Sequence, residues 1–240
     1  MSKAILIARR EMGAYVRSPL GSVIIAGALL IDGILFYYWG LSQKMLSAEV
    51  LSEFFYAASG ITMAASIILS MRLIAEERQT HTFTLLNTAP IHDWEIVLGK
   101  YLSALGMLTV LTALTLYMPA LIFVNGKVSI GHIAVGYAGL LLIGSATISI
   151  GLFASALTRS QVVAAIVGAA ILTALILLWM LASAVEPPLN DFLAGLAFHH
   201  QNFMPFQKGI LELKGVAYYS AVTYFFLLAA TKILEARRWR

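Results

Sequence analysis

The sequence predicts an all-α membrane protein with six transmembrane helices, and three observations carry that prediction. Sixty per cent of the 240 residues are hydrophobic and 12% are charged, with a mean hydropathy of +0.85. A soluble domain of this length has no core large enough to absorb so much apolar surface. The apolar residues are divided into stretches near the length of about 20 that crosses the hydrocarbon of a bilayer. These are Leu20–Leu41, Phe54–Ala75, Tyr101–Val124, Ile133–Leu157, Val162–Val185 and Val216–Leu234. The basic residues, finally, sort to one side of those stretches.

Placing the amino terminus in the cytoplasm puts Lys3, Arg9, Arg10, Arg17, Arg72, Arg78, Lys100, Arg159, Lys232, Arg237, Arg238 and Arg240 inside and leaves Lys44, Lys127, Lys208 and Lys214 outside, which is 12 against 4 of the 16 Lys and Arg. The positive-inside rule is satisfied at every cytoplasmic connection, so both termini are expected inside the cell. A nucleic-acid partner is not expected, because the net charge of +4 is scattered over helix ends and not gathered into a patch with interleaved aromatics. The absence of cysteine excludes a disulfide framework and thiol chemistry.

Taken in order, Met1–Ser18 is basic and amphipathic: Ile5, Ala8, Met12 and Tyr15 recur at helical spacing while Lys3, Arg9, Arg10 and Arg17 fall elsewhere around the helix. Such a helix is expected to lie in the interface. It lacks the apolar stretch and small-residue cleavage site of a signal peptide. Pro19 opens the first span, in the first helical turn, where its missing amide forfeits no bond. Asn125–His132 and Thr158–Gln161 are short enough to make their flanking helices antiparallel neighbours. The outer segment 186–215 places Leu189, Phe192, Leu193 and Leu196 at helical spacing, which predicts a short amphipathic helix in the outer leaflet. No internal repeat or low-complexity tract interrupts the chain, so 1–240 reads as a single transmembrane domain.

The long polar interruption between the second and third spans is Glu76–Lys100, EERQTHTFTLLNTAPIHDWEIVLGK. Thr80–Thr88 carries Phe83, Leu85 and Leu86 among threonines and an asparagine, a marginal helix with an exposed apolar face. Pro90 breaks it by disfavouring helix at Ala89. Asp93 is expected to cap a new helix, with Glu95 adding favourable charge in its first turn, and that helix runs into the third span. A short helix joined through a break to a spanning helix can pass movement into the membrane. The plainer alternative is that Phe83, Leu86 and Trp94 pack on the chain's own helix ends.

Residues EERQTHTFTLLNTAPIHDWEIVLGKYL resemble the first cytoplasmic loop of permease subunits of the ABC-2 family of ATP-driven exporters, where an EERQ-x-x-T run precedes a Leu-Leu pair, a Pro and an Ile/Val-x-LGK helix start. The end of the chain, HHQNFMPFQKGILELKGVAYYSAVTYFFLLAATKILEARRWR, is similar to that of the branch associated with gliding motility. His81 departs from the pattern, since many relatives carry glycine there. The resemblance covers essentially the whole chain. It implies a type-2 ABC exporter permease fold, with 1–18 as an elbow helix on the inner leaflet of a bacterial inner membrane. Thr82, Phe83, Thr84, Leu85, Leu86, Asn87 and Thr88 would be the coupling helix seated in a cytoplasmic ATPase, and Glu76, Glu77 and Arg78 would hold the base of the loop by ion pairing. Exposed pairs contribute only about 0–1 kcal/mol each, and a solvated helix end explains the same three residues. The resemblance further implies an ATPase dimer as partner, a second permease protomer, identical or not, and in the motility-like branch a membrane-anchored accessory subunit.

The chain itself is not expected to be an enzyme or to bind a cofactor. Gly99-Lys100 and Gly126-Lys127 lack both the upstream glycine and the following Ser or Thr of a phosphate-binding loop. ATP and Mg would therefore sit on the partner.

Asp32 lies twelve residues after Leu20, ~18 Å into the hydrocarbon, and is the one carboxylate deep in a span. An intramembrane carboxylate is a functional candidate by default, here for the translocation path. The alternative is a protonated or hydrogen-bonded latch to a Ser or Thr of a neighbouring helix. Ala164 and Gly168, four apart in the fifth span, mark a close-packing surface. The resemblance assigns it to a dimer seam, and packing within one protomer is the alternative. His199 and His200, near Glu186 and Asp191, invite a metal reading, but adjacent histidines on a helix point apart and no i, i+4 ligand pair accompanies them. A wet outer rim is expected instead. Rival functions fit the sequence less well. An intramembrane protease lacks histidines within the spans. An ion-coupled secondary transporter or channel using Asp32 leaves Thr80–Lys100 without a purpose and lacks the paired broken helices of that class.

Overall fold

The computed structural model describes residues 3–41, 46–80, 92–126 and 128–238. They form α1 (Lys3–Arg17), α2 (Pro19–Leu35) with a π-helical continuation (Phe36–Leu41), α3 (Ser47–Gln79), α4 (Asp93–Leu114), α5 (Tyr117–Asn125), α6 (Ile130–Leu157), α7 (Gln161–Ser183), α8 (Leu189–Leu196), α9 (His200–Gln207) and α10 (Leu213–Arg238). No strand occurs among the described residues. Six segments are long and apolar enough to cross a membrane: α2 with its continuation, α3, α4 with α5, α6, α7 and α10.

The centre of the bundle is the pair α3 and α6. Small residues on α6 make that pairing close. A Cβ at Gly136 would overlap the Phe55 ring and one at Gly151 the Ser70 hydroxyl, both on α3, while one at Gly144 would crowd Thr62 of α3 and overlap Leu108 of α4. Apolar side chains gain little by leaving lipid for another helix, so backbone approach through small residues supplies the packing energy. α2, α7 and α10 lie at the periphery and leave large apolar faces uncovered, among them Val23, Leu30, Val163, Ile166, Phe225 and Leu228.

Two spans are interrupted. The third breaks at Thr115–Leu116 between α4 and α5. Pro119 has no amide to offer the carbonyl one turn back, and its ring crowds that turn. The Thr115 carbonyl accepts from Met118 N at 3.0 Å instead. The first span changes to π-helix at Phe36, where Phe36 meets Phe54 edge to face at 5.8 Å, and the exposed Tyr37, Tyr38 and Trp39 follow as an interfacial aromatic belt.

The segment 186–215 is more built than the sequence suggests. The expected amphipathic helix is α8, with Leu189 and Phe192 exposed. A second helix, α9, follows; its Phe203 and Phe206, with Phe198 just before it, plug the bundle, and all three are fully buried. Tyr219 on α10 donates to the Phe198 carbonyl at 2.8 Å, and Asn202 donates to the Ala197 carbonyl at 2.8 Å, which satisfies backbone that the plug removes from water.

The cap of α4 corrects the sequence reading. The N-cap is His92, not Asp93, which is already the first helical residue, and the Glu95 carboxylate accepts from the His92 amide at 3.1 Å. Glu95 thus closes half of a capping box, since it stands three residues after the cap.

Candidate functional site

Thr82–Thr88, expected to form the coupling helix, lies outside the described residues; the two helix ends that flank it, at Thr80 and His92, do not. These ends are held by a network of buried charge. Lys100 on α4 is 1% exposed. Its ammonium meets the Glu77 carboxylate of α3 at 2.8 Å and the Glu11 carboxylate of α1 at 3.5 Å. One cation therefore ties together both flanks of the loop and the amino-terminal helix. Burying an ammonium is tolerable only when carboxylates replace its water, and here two do.

Around that tie, α1 is fastened a second time. Tyr15 is 1% exposed and its hydroxyl donates to the Leu69 carbonyl at 2.6 Å, while the Arg72 guanidinium stacks over its ring at 4.8 Å and pairs with Glu76 at 2.8 Å. Burial pushes the Tyr15 phenol well above its ordinary range, and the nearby Arg72 opposes that shift. α1 therefore packs along α4 through Ala4, Ile7, Glu11 and Tyr15, with Ile7 seated where Gly99 has no side chain. The packed face is rotated from the expected stripe of Ile5, Ala8, Met12 and Tyr15: only Tyr15 is common to both, and Ile5 is 47% exposed.

Arg78 carries the network to α6, where its guanidinium donates to the carbonyls of Ala156 and Thr158. Those carbonyls end α6 and have no amide of their own helix to accept from. One turn earlier the Ser155 hydroxyl receives the amides of Ile74 and Ala75 at 3.0 and 2.9 Å and donates to the Met71 carbonyl at 2.9 Å. Glu77 and Arg78 thus reach other helices, whereas Glu76 is 39% exposed and pairs with Arg72 within α3. Sequence reasoning missed Lys100, Glu11, Tyr15 and Arg72 as their partners. The available signal was that Glu11 is the sole acid of α1 and Lys100 the sole base of α4, each on its packing stripe.

Asp32 has the opposite environment. It is 3% exposed, and among the described residues no hydrogen-bond donor reaches its Oδ1. The latch to a neighbouring Ser or Thr is not formed at that oxygen. Asp32 precedes the π-helical turn by one turn of helix, and it lies within electrostatic reach of Tyr137, whose hydroxyl contacts Thr115 at 2.9 Å beside the break of the third span. A buried carboxyl thus sits where two spans lose regular geometry.

Ala164 and Gly168 are both buried within this chain. A Cβ at Gly168 would meet Ile67, Ala154 and Gly151 at 3.3–3.5 Å, so the small stripe of α7 packs on α3 and α6. The two histidines are separated. His200 stacks on Trp179 at 4.7 Å, whereas His199 is half-buried between Tyr56 and Phe203 and contacts the Ser59 hydroxyl at 2.7 Å. Ser59 donates its single proton to the Tyr56 carbonyl, so His199 Nε2 carries the proton in their bond. Burial, with His200 adding to it, lowers His199 to about 4. Among the described residues no group of three metal-binding side chains forms.

Six apolar crossings around a small-residue core, with charge gathered at one end, define a multi-pass membrane protein. A family profile described as ABC-2 family transporter protein matches residues 6–232, and the chain belongs to that family. Membership makes it the permease subunit of an ABC transporter, in a family whose membrane components carry no ATPase of their own and work with an ATP-binding subunit. No curated protein matches the chain.

Proposed function

We propose that this chain is one half of the membrane pathway of a bacterial inner-membrane ABC exporter, with both termini cytoplasmic and a separate ATPase dimer seated on Thr82–Thr88. A second permease protomer, identical or not, completes the pathway. The observation that carries this reading is the three-way tie at Lys100: both flanks of the loop and the elbow helix α1 form one charged clamp, so a push on the loop moves α1, α3 and α4 together. Closure of the ATPase pair on ATP and Mg then shifts the first and third spans against the central pair, and the path opens beside Asp32. The exposed faces of α2 and α7 are the surfaces offered to the second protomer, since the small stripe at Ala164 and Gly168 is occupied internally.

The amphipathic α8 and the similarity of the carboxyl-terminal run to the motility-associated branch support transmission of force to an outer partner through a membrane-anchored accessory subunit, as an alternative to release of a transported molecule. Co-purification tests docking. The chain bearing Phe83→Asp and Leu86→Asp is expected to lose its ATPase and the stimulation of that ATPase; retention of both removes the coupling assignment.

A second reading has its own observation. A buried carboxyl whose Oδ1 meets no donor among the described residues, beside two interrupted spans, suits an ion-coupled transporter, and proton uptake into liposomes holding the chain alone, abolished by Asp32→Asn, would favour it over the ATP-driven mechanism.

A further inference from the structure

The packed face of α1 leaves the opposite face open, and that face has its own chemistry. At 3.6 residues per turn, Gly13 stands opposite the stripe that packs on α4. Nothing lies within 4 Å of where its Cβ would be. Arg9 and Arg10 precede it by one turn and Arg17 follows by one, all three exposed. Together with Leu6 and Ala14 they line a shallow open hollow of about 470 Å³. No acid lines it, because Glu11, the only carboxylate of the helix, points the other way to Lys100. Its shoulders are apolar: Ile5 is 47% exposed and Val16 67%.

We propose that this hollow is a binding site for the phosphate headgroup of an anionic glycerophospholipid of the inner leaflet, an inference that rests on the proposed orientation of α1. Three exposed arginines around bare backbone offer donors to a single phosphate, Arg10 from the edge where it also lies within electrostatic reach of Glu77. A soluble acidic partner would satisfy the arginines and strand Ile5 and Val16, whereas a phospholipid supplies an anion and, directly attached, acyl chains for those shoulders. α1 runs into the first span through Ser18 and Pro19, which sets the hollow at headgroup level. The bound lipid would brace the side of α1 that the Lys100 clamp does not reach.

The test is native mass spectrometry of the full chain released from nanodiscs of phosphatidylcholine mixed with phosphatidylglycerol. Both leaflets then carry both lipids, and the result does not depend on orientation. The unaltered chain is expected to retain phosphatidylglycerol preferentially, and each of Arg9→Gln, Arg10→Gln and Arg17→Gln to reduce that preference about fivefold. Gly13→Leu fills the hollow without changing charge or topology and is expected to reduce it as well. Arg159→Gln, an exposed arginine of the α6–α7 turn, is expected to leave it unchanged. Equal retention of the two lipids by the unaltered chain overturns the proposal, as does a loss with Arg159→Gln matching that of the α1 variants. Loss of ATPase co-purification in Gly13→Leu with lipid preference intact would assign the face to a protein and also overturn it. Side-specific labelling of Ser2→Cys in membrane vesicles reads the orientation independently.

Discussion

Lys100 and Asp32 are buried to the same degree, 1% and 3% exposed, and the chain treats them in opposite ways. Lys100 is matched by two carboxylates from two other helices, so its burial joins three elements. Among the described residues no donor reaches Asp32 Oδ1, so that oxygen joins it to no other helix. A charge in a low-dielectric site either finds partners or stays neutral. The comparison therefore separates a structural use of a buried ionisable group from a site left open for something else.

The sharpest way to break this comparison is Lys100→Met. It strands Glu77 and Glu11 and is expected to lower stability by about 3–5 kcal/mol, read as a fall in thermal midpoint in detergent; adding Glu77→Gln and Glu11→Gln should recover most of it. No loss in the single variant would show that the clamp contributes nothing. Next is Gly151→Leu, which forces a side chain into Ser70 at the α3–α6 contact and is expected to lower stability by about 1–3 kcal/mol, with loss of the monodisperse fraction on size exclusion.

Acid is expected to weaken the outer plug by a smaller amount. His199 has a depressed value of about 4 in the folded chain against about 6.5 in an unfolded one, so the unfolded chain takes up the proton first. The stability His199 contributes is complete above pH 6.5 and is lost as pH falls toward 4. The slope of thermal midpoint against pH in that window should shrink in His199→Gln. The smallest effect on folding is expected at the other pole of the comparison: Asp32→Asn removes no ion pair and should change stability by less than about 1 kcal/mol. Transport should nonetheless be lost, measured as substrate release or ATPase stimulation in the assembled complex. A large stability loss at Asp32 would make it a latch after all.

The crossings were legible in the sequence because membrane insertion reads length and hydropathy, which are local. α8 was legible through the spacing of Leu189, Phe192, Leu193 and Leu196, whereas α9 was not, because Pro205 and a mixed composition give it no clear period. The break at Thr115 had a visible cause in Pro119, yet the apolar run continues through it and reads as one span. At the loop base, Glu76, Glu77 and Arg78 were legible as a charged group with an ion-pairing role, but the partners of Glu77 and Arg78 were not, since they lie on α4 and at the end of α6, from 23 to 80 residues away along the chain, whereas Glu76 pairs with Arg72 one turn back on its own helix.

By itself the sequence determined the all-α membrane class, the six crossings, the polar interruption between the second and third of them, and the deep carboxyl at Asp32. All of these follow from residue type and spacing along one helix. Only the tertiary structure decided that Lys100 finds Glu77 and Glu11, that Asp32 Oδ1 finds no donor among the described residues, and that Gly13 faces away from the bundle. Whether a buried charge is paired depends on which helices meet at its depth, and that is fixed by the close contacts of Gly99, Gly144 and Gly151 rather than by any neighbour in the sequence.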